Sequence, residues 1–182
     1  MATPQPAKLV LNKPLVLVGL MGAGKSTIGR RLAHVLSLDF VDSDQEIVEA
    51  AGCSIADIFE IYGEDIFRDV EQRVLLRLLS GKPCVIATGG GAFMNETIRG
   101  EILDKALSVW LKADLPVLIE RVSRRNTRPL LKTGDKGAIL GKMMDDRYPI
   151  YSQADITIDS NAGAHEKVVG SIVHALSERN ES

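Results

Sequence analysis

The sequence predicts a three-layer α/β fold, a parallel sheet with helices on both faces. Two observations carry this. Short apolar runs alternate along the chain with longer stretches of helical periodicity, the pattern of βαβ units. The first run, Leu15-Val16-Leu17-Val18, leads into Gly19-Leu20-Met21-Gly22-Ala23-Gly24-Lys25-Ser26, which meets G-x-x-x-x-G-K-[ST] at every fixed position and opens a helix. The chain has 182 residues, enough for one well-buried domain and too few for two, so 1–182 reads as a single domain with 1–12 as a flexible lead-in.

After the first strand, Ser26 to Leu36 reads as a helix. Phe40–Val41 is the second strand, followed by Ser43 and Glu46 as an S-x-x-E capping box. Ser54 and Asp57 offer the next helix start. Phe67, Val70, Val74, Leu75, Leu78 and Leu79 recur at helical spacing up to Gly81. Cys84–Thr88 and Leu107–Leu111 are the next strands, with a helix over Leu115–Arg124. Between Ser123 and Gly141 the periodicity fails, and 123–137 is basic and glycine-containing. In a nucleotide-binding chain such a segment reads as a mobile lid that closes Arg128 over the nucleotide. Ile156–Ile158 is the last strand, and Val168, Val169, Ile172, Val173 and Leu176 stripe a final helix.

The chemistry follows from the loop after the first strand. Its glycines let successive N–H groups converge on phosphate oxygens, and the helix behind it points its positive end at them. The backbone from Gly22 through Ala23, Gly24, Lys25 and Ser26 to Thr27 is the candidate phosphate cradle. Lys25 would bridge the β- and γ-phosphates and Ser26 would ligate Mg²⁺. Asp42 and Asp44 follow the second strand, at the strand end where an open α/β sheet holds its ligand. Asp42 could hold Mg²⁺ directly or through water, and Asp44 could accept a proton from an attacking hydroxyl. Thr88-Gly89-Gly90-Gly91 would let a substrate approach the backbone closely. Arg68 and Arg147 taken with Asp44 would suit a small carboxylate that also carries hydroxyls. Guanine-reading motifs pair Asn/Thr-Lys with Asp. Asn12-Lys13 lacks that Asp and precedes the loop, so ATP is expected over GTP.

These motifs together resemble shikimate kinase over nearly the whole chain, from about Pro14 to Leu176: GLMGAGKSTIGRRLA (Gly19–Ala33), FVDSD (Phe40–Asp44), FRDVE (Phe67–Glu71), TGGG (Thr88–Gly91), RPLL (Arg128–Leu131) and RYPIY (Arg147–Tyr151). The resemblance implies a P-loop NTPase fold of nucleoside-monophosphate-kinase type, a five-stranded parallel sheet in the order 2-3-1-4-5. It implies transfer of the ATP γ-phosphate to the 3-hydroxyl of shikimate, on the route to chorismate and aromatic amino acids. By motif, Asp44, Arg68, Gly90 and Arg147 would bind shikimate, with Asp44 orienting or deprotonating its hydroxyl. Lys25 and Arg128 would stabilise the transferring phosphoryl group. Arg124 or Arg125, with Ser160 and Asn161, would flank adenine.

Two other readings are open to the phosphate loop alone: a kinase for gluconate or a nucleoside monophosphate, and a nucleotide switch without a small acceptor. Neither accounts for Asp44, Arg68 and Arg147 together. A net charge of −2 gives no overall basic field for nucleic acid or anionic lipid. Cys53 and Cys84 have no metal or redox spacing, and the first dozen residues lack a secretion signal's apolar core, so a cytoplasmic enzyme is expected; a monomer is the expected state.

Overall fold

A computed structural model describes residues 9–124, 134–161 and 163–180. Five parallel strands form one sheet: β1 (Leu15–Val18), β2 (Asp39–Asp42), β3 (Cys84–Ala87), β4 (Leu107–Lys112) and β5 (Ile156–Asp159), in the order β2-β3-β1-β4-β5. All residues of β1 and β3 are buried, as central parallel strands must be when helices cover both faces. Among the described residues, seven helices connect and cover them: α1 (Lys25–Leu36), α2 (Ser43–Ala51), α3 (Ile55–Leu79), α4 (Glu96–Lys105), α5 (Leu115–Ser123), α6 (Lys136–Tyr151) and α7 (His165–Asn180). A short 3₁₀ turn, Ala92–Met94, precedes α4. The main core gathers β1, β3 and β4 with Ile28, Leu32, Leu75, Ile98, Leu118, Leu140 and Ile172, and a smaller cluster of Ile47, Ile58, Phe67 and Val74 joins α2 to α3.

Local signals explain most helix ends. Ser54 and Asp57 form the expected reciprocal capping box on α3. The box proposed at Ser43 and Glu46 does not form. Asp42 caps α2 instead, its Oδ1 accepting from Asp44 N–H at 3.0 Å. A carboxylate one residue earlier takes the exposed N–H, which leaves Ser43 as the first helical residue and Glu46 paired to Arg77 at 2.5 Å. The two helical stretches read on either side of residue 63 are both present: α3 is two helical segments meeting at a kink at Gly63, whose φ of 83° and ψ of 174° are non-helical and are adopted by few residues but glycine. The break expected up to Gly141 is shorter. Asp135 caps α6, which begins at Lys136, because Gly137 and Gly141 lie inside a helix and blur its periodicity. Arg125, Arg128 and most of the proposed lid lie outside the described residues, which reach Arg124 on one side and Gly134 on the other.

Candidate active site

The order of strands puts the site where the motifs predict. Because β1 sits between β3 and β4, the residues after the carboxyl ends of the strands open into one crevice at the point where the chain order reverses. A cleft of about 520 Å³ there is lined by Gly22, Ala23, Gly24, Lys25, Ser26 and Thr27, by Asp42 and Asp44, and by Gly89 and Gly90.

Gly24 is the residue before α1, with φ 96°, and it brings no side chain to cap the helix. The helix end is thus shaped for an anion rather than for an internal cap. Lys25 Nζ donates to the carbonyls of Gly19 and Leu20 at 2.7 and 3.0 Å, folded back over its own loop, on the phosphate side. Ser26 Oγ donates to Asp42 Oδ2 at 3.0 Å. Asp42 therefore does two things at once, one oxygen capping α2 and the other meeting Ser26. That hydroxyl and carboxylate form the hard-oxygen pair that suits Mg²⁺.

The three glycines after β3 reserve space for three side chains. Thr88 ties the strand end to β1 through Oγ1 donating to the Leu17 carbonyl at 2.8 Å. Ser43 Oγ then accepts from Gly89 N–H at 3.2 Å. A Cβ at Gly89 would stand 2.8 Å from Asp44 Oδ1, one at Gly90 3.3 Å from an Arg147 nitrogen, and one at Gly91 3.0 Å from both terminal nitrogens of Arg68. Asp44, Arg147 and Arg68 come from α2, α6 and α3 and converge on this one loop, a carboxylate beside two guanidinium groups. This is the donor and acceptor set for a ligand with a carboxylate and hydroxyls.

The family model for shikimate kinase matches residues 21–177. The chain belongs to the shikimate kinase family, whose members are ATP-dependent kinases. A shikimate kinase from Rhodopseudomonas palustris is 52% identical over 177 residues, covering 96% of this chain and 87% of its own. One from Bradyrhizobium diazoefficiens is 53% identical over 164 residues, covering 90% and 79%. The structure of the Acinetobacter baumannii shikimate kinase in complex with shikimate superposes with a TM-score of 0.87 at 37% identity, covering 92% of this chain and 94% of that one.

Two residues of this kinase site carry no assigned role in the sequence reading. Glu71 is 1% exposed, and its Oε2 accepts from Arg68 Nη1 at 2.8 Å. Burial pushes its carboxyl above the ordinary value of 4.5, and the nearby Asp44 charge adds to that, while Arg68 opposes it. It lies three residues after Arg68, so helical spacing alone pairs the two. Arg121 is the second. Its guanidinium donates to the Gly22 carbonyl at 3.3 Å and to the Ser160 carbonyl at 2.5 Å, tying the phosphate loop to the loop after β5. Val117 and Arg121 of α5 and Arg124, which caps its C-terminus, recur at i, i+4 and i+7 and all line the cleft, a stripe legible in the sequence. Of the adenine candidates, Arg124, Ser160 and Asn161 line the cleft. Arg124 pairs with Glu120, and Ser160 Oγ donates to the Ala23 carbonyl at 3.2 Å.

Proposed function

We propose that this chain transfers the γ-phosphate of ATP to the 3-hydroxyl of shikimate, giving shikimate 3-phosphate and ADP. The observation that carries it is the convergence of Asp44, Arg68 and Arg147 on Gly89–Gly91 beside the phosphate loop. A bare nucleotide site does not need that convergence.

In this reading the phosphates lie against the backbone of Gly22–Thr27 and the N-terminus of α1. Lys25 exchanges its loop carbonyls for phosphate oxygens. Ser26 and Asp42 would hold Mg²⁺, which would supply charge neutralisation at the phosphates. Arg68 and Arg147 grip the shikimate carboxylate, with Gly90 leaving room for the ring. That orients the 3-hydroxyl toward Asp44. The hydroxyl oxygen bonds to the γ-phosphorus, its proton passes to Asp44, and the bond to the bridging oxygen breaks to release ADP. Arg128 adds positive charge from the segment between α5 and α6. Arg121 and Arg124, with Ser160 and Asn161, bound the base end of the cleft. The whole chain acts as one kinase domain, as a cytoplasmic monomer without nucleic-acid or membrane partners. The free thiols of Cys53 and Cys84 fit a reducing compartment.

The test is ADP release from MgATP by purified protein with and without shikimate. Turnover that depends on shikimate and yields shikimate 3-phosphate is expected. Turnover indifferent to shikimate would leave a nucleotide site and remove the acceptor assignment.

A further inference from the structure

Arg147 sits in the last turns of α6, and two phenols pin that end of the helix to the sheet edge. Tyr148 Oη donates to the Ala113 carbonyl, and Tyr151 Oη donates to the Gly90 carbonyl. Tyr151 is fully buried, its ring 6.3 Å from that of Phe93 and 6.0 Å from that of Trp110. Arg147 and Tyr151 are four residues apart on one helix and so share a face.

The hydrogen-bond polarity here is forced. A carbonyl can only accept, so the single phenolic proton is committed to Gly90, and the lone pairs of Tyr151 are left for a donor. The Arg147 guanidinium, one turn earlier on the same helix face, is the cation that acts on that phenol. The same guanidinium stands 3.3 Å from where a Gly90 Cβ would be. Phenol, guanidinium and the Gly90 peptide therefore close one unit at the acceptor end of the cleft.

We infer that Tyr151 is a positioning residue for the acceptor carboxylate: it fixes the Arg147 guanidinium and the Gly90 peptide relative to each other, and buried itself, touches no substrate. The inference rests on Arg147 being a carboxylate ligand. A long arginine side chain loses rotamer freedom when it grips a ligand. Held in advance by Tyr151, Arg147 loses less of it on binding.

The experiment is steady-state kinetics of the full-length chain carrying Tyr151→Phe, Tyr148→Phe, Arg147→Ala and Arg147→Ala/Tyr151→Phe, with melting temperatures alongside. Tyr151→Phe keeps the ring and removes the hydroxyl that bonds Gly90 beside the Arg147 guanidinium, so the shikimate KM should rise about tenfold. The ATP KM should stay within about twofold, since no ATP contact is changed. Tyr148→Phe removes a phenol–carbonyl bond in the same aromatic cluster and should lower the melting temperature comparably without moving the shikimate KM. In the Arg147→Ala background, Tyr151→Phe should add less than about twofold, because the two side chains act as one. A shikimate KM that is normal in Tyr151→Phe but raised in Arg147→Ala overturns the inference alone. So does an equal rise in both tyrosine variants, or full additivity with Arg147→Ala. A normal shikimate KM in Arg147→Ala overturns the carboxylate clamp itself, and the inference with it.

Discussion

Lys25 is one ammonium with two competing sets of oxygens. Its Nζ donates to the carbonyls of Gly19 and Leu20, and in the proposed reaction phosphate oxygens are the alternative acceptors. Replacing it with alanine removes charge at the transferring phosphoryl group and should cost on the order of 3 kcal/mol of transition-state stabilisation, about a hundredfold in kcat. Normal turnover in Lys25→Ala, with the melting curve unchanged, would take this residue out of the mechanism. Glu71 makes a different prediction. Its folded-state pKa is raised above 4.5, mainly by burial, so between that value and its raised pKa the folded protein holds a proton that the unfolded chain has lost. Its contribution is thus most favourable at or below 4.5 and is lost as pH rises through the folded pKa. Glu71→Gln has no such proton. Urea unfolding at a series of pH values should show wild type losing stability relative to Glu71→Gln as pH rises from about 4.5. Parallel pH profiles would mean that Arg68 balances the desolvation, and a gain of wild type with pH that it outweighs it.

At the scale of elements, α2 shows how one side chain can end a helix and build a site. Asp42 caps α2 through one oxygen and meets Ser26 through the other. Asparagine caps as well as aspartate but carries no charge. Asp42→Asn should therefore leave stability within about 0.5 kcal/mol. It should also raise the Mg²⁺ concentration needed for half-maximal rate. A large loss of stability with an unchanged Mg²⁺ requirement would leave Asp42 a cap only. The helix α3 spans two tasks in the same way. Its first turn carries the Ser54 cap, its bend lies at Gly63, and its later turns carry Arg68 and Glu71 to the Gly89–Gly91 loop while Leu75 and Leu79 enter the main core.

At the scale of the molecule, the proposed nucleotide and acceptor ends share one cleft at the carboxyl ends of the strands, so on this reading each ligand would stabilise elements that also carry the other's contacts. Binding to the folded state alone adds about 2.7 kcal/mol at a hundredfold excess over Kd, which for a chain of this size is a rise of about 5–10 °C in melting temperature. Shikimate and MgATP should each produce such a shift, read by scanning calorimetry. If only the nucleotide does, the acceptor end of the cleft is not a shikimate site.

Much of this was legible without coordinates. The strand–loop–helix signature around Lys25, the alternation of periodicities and the capping box at Ser54 are local, set by neighbours within a few residues, and the structure reproduces them. Asp44, Arg68 and Arg147 could be named individually for the same reason, since each sits in a short distinctive motif. Their convergence is not local. It depends on the order β2-β3-β1-β4-β5 and on three glycines clearing the space between α2, α3 and α6. The choice of Asp42 over Ser43 as cap, the burial that raises the Glu71 pKa, the Arg121 bridge and the Tyr151–Gly90 bond belong to the same class. Each is a competition between partners far apart in the chain, and only packing decides which partner is within reach.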